Sequence, residues 1–460
     1  MTQAAGEAQE VRRSFGLRMV VAVLGLVATF GTSVLAVRAL DARPAAGFLA
    51  VLGALMLGPM VGRLGLGQSA IRAISAAPGP GEVAVQVVAH LRAVALLSLL
   101  TAPAVAWLAT AVVQDDRGRV VLLVAAMIVL ETVRLTVSDV FAALGRIPWS
   151  VAATHHSRSI IALVAMGVVV LASGGSTTLL TLLTVYAGTS LALLAVVLSA
   201  LLVGLPRRAR GTGRRWWAPM LAAVAAGAWL FTVELGAFLV GRGDVWLAGW
   251  AFGAQDALEY STASVLAMQV TVLEGLANIA IAPVAARMWA AGEHARVFRL
   301  LSASATLSTA VTVLAVALAW LLGPQALALY GDGLGDAAPY LGVLATGGLG
   351  MAVCGSCAVL LVVTGNGRAA AGSVTVAMLV AVPAAVLAAR LGGPLPLAVA
   401  SAVATAVLFG SYVVACRRTF GRAPLPTRHL RTSLLVLAGR DAAAPASPET
   451  EIVATGGGAA

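Results

Sequence analysis

The chain has 460 residues, of which 60% are hydrophobic and 11% charged, against about a quarter charged in an average soluble domain. In water such a chain would expose mostly apolar surface. That excludes a soluble enzyme, a disordered regulator and a secreted disulfide scaffold, and leaves a protein whose solvent is lipid. The formal net charge is +11, and all 30 basic residues are arginines. They cluster in short loops between apolar runs, where cations set topology and meet anionic headgroups rather than nucleic acid. Three cysteines do not make a disulfide framework.

Taken in chain order, Arg12-Arg13-Ser14-Phe15-Gly16-Leu17 has the form of a twin-arginine export signal. The apolar run over 19–37 is too long for a signal core, and more runs follow it, so it reads as a first crossing with a basic cytoplasmic flank. At about 20 residues per crossing, the apolar runs predict twelve transmembrane helices. The first six cover 15–37, 45–63, 91–113, 120–145, 151–172 and 177–204. The second six cover 218–241, 261–287, 298–322, 337–363, 369–390 and 396–416. Most are apolar all round, as helices in lipid should be, and they tolerate internal glycine and proline. Trp149, Trp216, Trp217, Trp246 and Trp289 fall near predicted span ends, where amphipathic rings prefer the headgroup layer.

With the N-terminus inside, twenty-three arginines fall in inside segments and six in outside loops. That asymmetry places both termini in the cytoplasm. The fold class is therefore all-α and polytopic, with about twelve helices in two pseudo-symmetric six-helix lobes. The expected organisation is a cytoplasmic flank over 1–14, an N-lobe over 15–204, a basic linker over 205–217, a C-lobe over 218–416 and a tail over 417–460. The tail is basic at first, with 429–436 suited to the inner surface, then disordered. Two weak internal similarities suggest duplication with a parallel repeat. Leu40 to Phe48 matches Phe252 to Tyr260 at an offset of 212 residues, and Gly145-Arg146 matches Gly367-Arg368 at 222.

Ionisable groups within spans are the strongest functional pointers, because each costs about 2.5–3.5 kcal/mol at a helix centre on insertion scales. Span four carries Glu131, Thr132, Arg134, Ser138 and Asp139 within one polar stripe. Glu131 and Arg134, spaced i, i+3, can pair, either lining a wet cavity or joining helices. Glu234, in the outer half of span seven, and Glu274, in the middle of span eight, have no partner on their own helix and point to a cavity. Arg18 and Arg63, near the cytoplasmic ends of spans one and two, could receive a phosphate from the inner leaflet or snorkel to headgroups. Arg242 and Asp244, in the loop after span seven, are gate candidates. Cys354-Gly355-Ser356-Cys357 lies in apolar span ten, where small residues at helical spacing pack helices closely. His155 and His156 adjoin Arg158 at the start of span five and read as headgroup-facing. There is no phosphate-cradling glycine loop, nucleophile elbow or metal-ligand cluster. The short outside loops leave no room for a catalytic domain, so no catalytic residue, metal or cofactor is expected.

Three stretches carry a family resemblance. The first is Val37-Arg38-Ala39-Leu40 through Gly47-Phe48, with Leu64-Gly65-Leu66-Gly67 to Ile71-Arg72. The second is Gly241-Arg242-Gly243-Asp244, with Glu259-Tyr260-Ser261-Thr262-Ala263, Pro283 and Gly292. The third is Leu322-Gly323-Pro324 to Leu329-Tyr330-Gly331, with Thr364-Gly365. Over 12–420 the chain resembles the polysaccharide-export flippases, of O-antigen and teichoic-acid exporter type, in the multidrug/oligosaccharidyl-lipid/polysaccharide exporter superfamily. The resemblance implies two lobes alternating around a central cavity in a bacterial cytoplasmic membrane. It implies an undecaprenyl-diphosphate oligosaccharide as substrate, H+ or Na+ as coupling ion, and membrane lipids and a polysaccharide assembly complex as partners, with no nucleic acid. The mid-span candidates are mostly acidic, with Arg134 the only deep cation. That keeps open a second reading, a proton-coupled drug/cation antiporter of the same superfamily.

Overall fold

The computed structural model describes residues 2–75, 77–111, 113, 116–175, 177–204 and 217–437, with side chains beginning at Val20 in the first helix and at Phe231 in the second half. The expected linker up to residue 216, the tail beyond 437 and the side chain of Arg18 lie outside the described residues. All regular structure among the described residues is helical. A backbone in lipid must satisfy its polar groups within one segment, and long apolar runs do so as helices.

The first half holds α1 (Thr2–Ala39), α2 (Ala42–Arg63), α3 (Leu66–Ser75), α4 (Pro80–Ala109), α5 (Arg117–Ala143), α6 (Ile147–Ala152), α7 (His155–Ala172) and α8 (Leu179–Gly204). The second holds α9 (Trp217–Ala251), α10 (Ala254–Ala290), α11 (His294–Ala328), α12 (Ala338–Val363), α13 (Gly367–Leu391), α14 (Pro394–Phe420) and the short α15 (Leu430–Leu437). Ten of the described helical segments are long and apolar enough to cross a membrane. The other two expected crossings fall on α9 and α10, of 35 and 37 residues. The face carrying the α1–α2, α9–α10 and α11–α12 connections is called upper here, and the opposite face lower.

Within the first half α2 and α5 pack on α4, α8 packs on α5 and α7, and α1 packs on α7. Within the second, α12 packs on α10, α11 and α14, and α13 packs on α9 and α14. The halves meet where α2 lies against α9 and α10, where α3 and α4 reach α9, and where α1 touches α10.

Small residues set these approaches. A Cβ on Gly58 of α2 would overlap the buried Ile128 of α5, and this β-branched side chain has no free rotamer to yield. Gly58→Ala is expected to cost about 1–3 kcal/mol through overpacking, read as a lower melting temperature in detergent. A melt unchanged from wild type would show that α2 and α5 can separate there freely.

Four sequence expectations change. First, the loop after span seven collapses to Phe252 and Gly253, and Arg242 and Asp244 lie inside α9. Second, span five is broken into α6 and α7 at Ala153–Thr154. Third, the loop after α2 folds into the amphipathic α3. Fourth, Trp246, expected as a rim residue, packs between helices near the upper end of α9. Its Nε1 donates to the Ala50 carbonyl at 3.1 Å, tying α9 to α2.

The internal similarities gain a structural counterpart. Asp41 before α2 and Gly253 before α10 adopt the same extended backbone, φ −63° ψ 163° and φ −62° ψ 166°, at the expected offset of 212. The second pair shifts. Gly145, φ +71°, ends the α5 turn as Gly365, φ +79°, ends that of α12, so Gly145 corresponds to Gly365 rather than Gly367. Both are left-handed glycines closing a helix.

At the lower face α15 folds back onto α11. Thr427 N donates to Thr306 Oγ1 at 2.9 Å, and the Arg422 guanidinium stacks over Phe298 at 4.0 Å. Leu430 and Leu434 of α15 stay exposed, giving the expected interfacial segment an outward apolar face.

Candidate functional site

The polar stripe of α5 is enclosed in protein. Glu131, 1% exposed, accepts from Arg134 of its own helix and, at 3.0 Å, from Ser190 Oγ of α8. Its other neighbour is Arg158 Nη1 of α7, at 2.7 Å. Arg158 also lies over the Tyr186 ring at 4.6 Å. Arg134, fully buried, donates to the carbonyls of Ala153 and Thr154. Those are the groups freed by the break between α6 and α7, and a cation suits a helix C-terminus. Ser138 Oγ donates to the Ser150 carbonyl of α6 at 2.8 Å, and Thr132 bonds back to Ile128. Of the two readings of this stripe, the geometry favours the second: Glu131, Arg134 and Ser138 bond to neighbouring helices, while Thr132 bonds within α5.

Arg158 was missed because, next to two histidines and a predicted span end, it read as a loop residue. It is 5% exposed. His155 and His156 are half-buried, not spread on a headgroup layer, and a Cβ on Gly25 of α1 would overlap His156. Taken together, Arg134, Arg158 and Glu131 leave one positive charge in excess inside the first half.

Asp139, the lower end of the stripe, binds Arg63 of α2 at 2.9 Å, with both side chains about a quarter exposed. Arg63 is thus held by a carboxylate rather than left free for a phosphate. Glu234 of α9 is exposed, and its nearest charges are Arg63 and Asp139. The level follows from the Trp246–Ala50 tie. Arg63 is thirteen residues below Ala50 and Glu234 twelve below Trp246, both about 18–20 Å at helical rise. Glu234 therefore stands level with the Arg63–Asp139 pair, at the midpoint of α9.

The second half holds an open cavity of about 300 Å³ between α9, α10, α12 and α14. Arg242 is its one charged lining residue; Ser264, Thr271, Ser401 and Thr405 bring hydroxyls, and Phe238, Met268, Leu344 and Phe409 apolar walls. Arg242 makes no hydrogen bond or ion pair among the described residues. Asp244, two residues on, is about 160° away around the helix. Its oxygens accept from Tyr260 Oη at 2.6 Å and from the Val245 amide at 3.0 Å. Four residues below Trp246, Arg242 lies about 6 Å under the level of Ala50, deep in the span. Glycines at 241 and 243 gave this stretch the look of a turn, which hid the cation from sequence reading.

Glu274 lies one turn below Thr271 and is 3% exposed. Oε1 accepts from Asn278 at 2.5 Å, and Oε2 has no hydrogen-bond partner. The helix α12 approaches it through Gly355, where a Cβ would overlap the carboxylate. Cys354, Cys357 and Cys416 are free thiols, and Cys416 Sγ donates to the Cys357 carbonyl at 3.4 Å. No cluster of three metal-ligating side chains occurs among the described residues.

The halves are joined at the upper face by residues that the sequence marked only as part of the family resemblance. Tyr330, fully buried, pairs with Ser33 of α1 at 3.0 Å and meets the Phe30 ring edge-on. Arg38 at the end of α1 donates from Nε to the Leu329 carbonyl at 2.7 Å and from Nη2 to that of Ala328 at 3.3 Å.

No protein-family model and no curated protein matches the sequence. Solved structures do match the fold. The inward-facing conformation of a multidrug resistance MATE family transporter of the MOP superfamily superposes with TM-score 0.68 at 14% identity, over 88% of this chain and 98% of that one. The lipid II flippase MurJ, in an inward closed conformation, gives 0.65 at 11%, over 94% and 93%. An outward-facing conformation of a MATE family transporter gives 0.53 at 12%, over 88% and 94%. At such identities the likeness concerns fold alone: the chain is a polytopic all-α membrane protein with the architecture that these transporters share.

Proposed function

We propose that this chain is a flippase that moves a lipid-linked oligosaccharide, of undecaprenyl-diphosphate type, across a bacterial cytoplasmic membrane for cell-surface polysaccharide synthesis. The reading places both termini in the cytoplasm by the arginine asymmetry, so the lower face is cytoplasmic. Two lobes, with the second half as the C-lobe, alternate around a midplane site. A polysaccharide assembly complex is the expected partner, and no chemistry is catalysed. The observation that carries the anionic substrate is the unpaired Arg242, the one charged side chain lining the cavity of the second half. A sugar headgroup cannot cross hydrocarbon without a polar path, and two rocking lobes give one without a continuous pore. The closed upper seal and the higher TM-score against the inward-facing transporter than the outward-facing one fit a state closed to the outside.

Glu274 supports a second reading, the proton-coupled cation antiporter, since a buried carboxylate with a free oxygen suits proton or Na+ exchange. Under either reading it is the coupling residue. The test is reconstitution into vesicles with a fluorescent undecaprenyl-diphosphate sugar and an outside quencher, with and without a proton or Na+ gradient. The expected result is gradient-dependent flipping, with the gradient effect lost in Glu274→Gln while folded protein remains. No flipping, beside gradient-driven uptake of a cationic dye, would move the protein to the antiporter reading.

A further inference from the structure

We infer that the lower half of α8 carries a binding groove for an anionic phospholipid of the surrounding bilayer, with an acyl chain along α8 and the phosphate on Arg146. The groove, of about 690 Å³, is open and lies between α6 and α8. Its floor is Ala195, Ser199 and Ala200, and its sides are Trp149, Val196 and Val203. The break in span five creates it. The helix α6 has only six residues, about 9 Å of rise, too short to cover α8 along its length. Val196 and Val203 are left exposed as a result. The site is independent of what the protein transports.

Three side chains at its polar end hold donors without partners. Arg146 is exposed and makes no side-chain hydrogen bond or ion pair among the described residues. A Cβ on Gly204 would overlap its guanidinium, so the charge lies against the last turn of α8, beside Val203 of the groove. The partial negative charge of that helix end offsets about half of it but takes none of its donors. The Trp149 ring stacks on Phe141 at 5.9 Å, and its Nε1 donates to nothing among the described residues. Ser199 Oγ is also without a partner there, whereas Thr184 of the same helix bonds back to the Leu180 carbonyl at 2.7 Å, the usual resort of a hydroxyl in a helix. The spacing is that of a phospholipid. Ser199 is five residues above Gly204, about 7–8 Å, the depth of the ester groups when the phosphate sits on Arg146. Ala195 and Val196 lie one turn further in, where an acyl chain runs. A guanidinium presents a fork of donors matched to phosphate oxygens. Neither α6 nor α8 contains a carboxylate to receive the ammonium of a zwitterionic headgroup. The sequence over 206–215 adds five arginines directly after α8, and clustered arginines favour anionic lipid.

The test is native mass spectrometry of the full chain in detergent, titrated with phosphatidylglycerol and with phosphatidylcholine of the same acyl chains. Phosphatidylglycerol should bind about tenfold more tightly. Arg146→Gln should remove that preference, and Arg146→Lys, which keeps the charge and loses the fork, should keep part of it. Ala195→Phe, which fills the groove from an exposed position, should weaken binding of both lipids; it serves as the test if Arg146→Gln does not fold. Equal binding of the two lipids by wild type, a preference unchanged in Arg146→Gln, or binding unchanged in Ala195→Phe overturns the inference. Glycerol phosphate binding as tightly as phosphatidylglycerol would make this a site for the free anion and overturn the groove. Undecaprenyl phosphate binding more tightly than phosphatidylglycerol through Arg146 would make it a substrate site. A wild-type dimer that Ala195→Phe dissociates would give the groove to a second copy. Either result overturns the assignment to a bilayer lipid.

Discussion

Glu131→Ala should be the most destabilising single substitution in the first half, at about 3–5 kcal/mol, the cost of stranding a buried charge. Glu131 holds two guanidiniums that reach it from different helices, Arg134 from α5 and Arg158 from α7, and takes a hydroxyl from α8. Without it, Arg134 and Arg158, both buried, repel each other. Arg158→Leu should cost less, because Glu131 keeps Arg134 and Ser190. The order matters more than either value. Thermal melting in detergent, with retention on size exclusion, should rank wild type above Arg158→Leu and Arg158→Leu above Glu131→Ala. Equal melting for Glu131→Ala and wild type would mean that water or an anion reaches the cluster, and the stripe would return to being a cavity wall.

Breaking the upper seal should give the second large effect. Arg38 bonds two terminal carbonyls of one helix end, and hydrogen bonds to charged groups contribute about 1.5–3 kcal/mol each. Tyr330 adds the bond to Ser33. Removing both, as Arg38→Ala with Tyr330→Phe, should shift the balance toward a state open above by about tenfold or more. The readout is a cysteine placed at Ala36, a fully buried position on α1. A membrane-impermeant maleimide added from the upper side should label Ala36→Cys slowly in the intact seal and about tenfold faster in the double variant. Equal rates would show that the α1–α11 contacts do not hold the halves together.

The helices were legible because lipid leaves the backbone no alternative, so that apolar length alone locates a crossing. The same rule explains the two failures of placement. Gly241-Arg242-Gly243-Asp244 carries the residues of a turn, yet α9 continues through it, since glycine within a packed membrane helix costs little when neighbours close around it. Span five looked continuous, but it breaks at Ala153–Thr154, just before the polar first turn of α7, and the carbonyls of the break are served by Arg134 from another helix. That partnership spans about twenty residues of sequence and has no local signature. The pairing of Glu131 with Arg134 was readable, being i, i+3 on one helix; the addition of Arg158 was not. Likewise Tyr330 and Ser33, 297 residues apart, become partners only when the halves meet. Glu274 was readable as a lone intramembrane acid, whereas its Asn278 partner passed as one more polar residue on α10.

The placement of the cysteines has a practical consequence for such experiments. Cys357 and Cys416 are fully buried, and Cys354, on α12, is half-buried. The chain with Cys354 alone replaced is thus a quiet background for thiol labelling. A single introduced cysteine can then carry a dye or spin label, and pairs placed across the two halves would report their separation as the protein cycles.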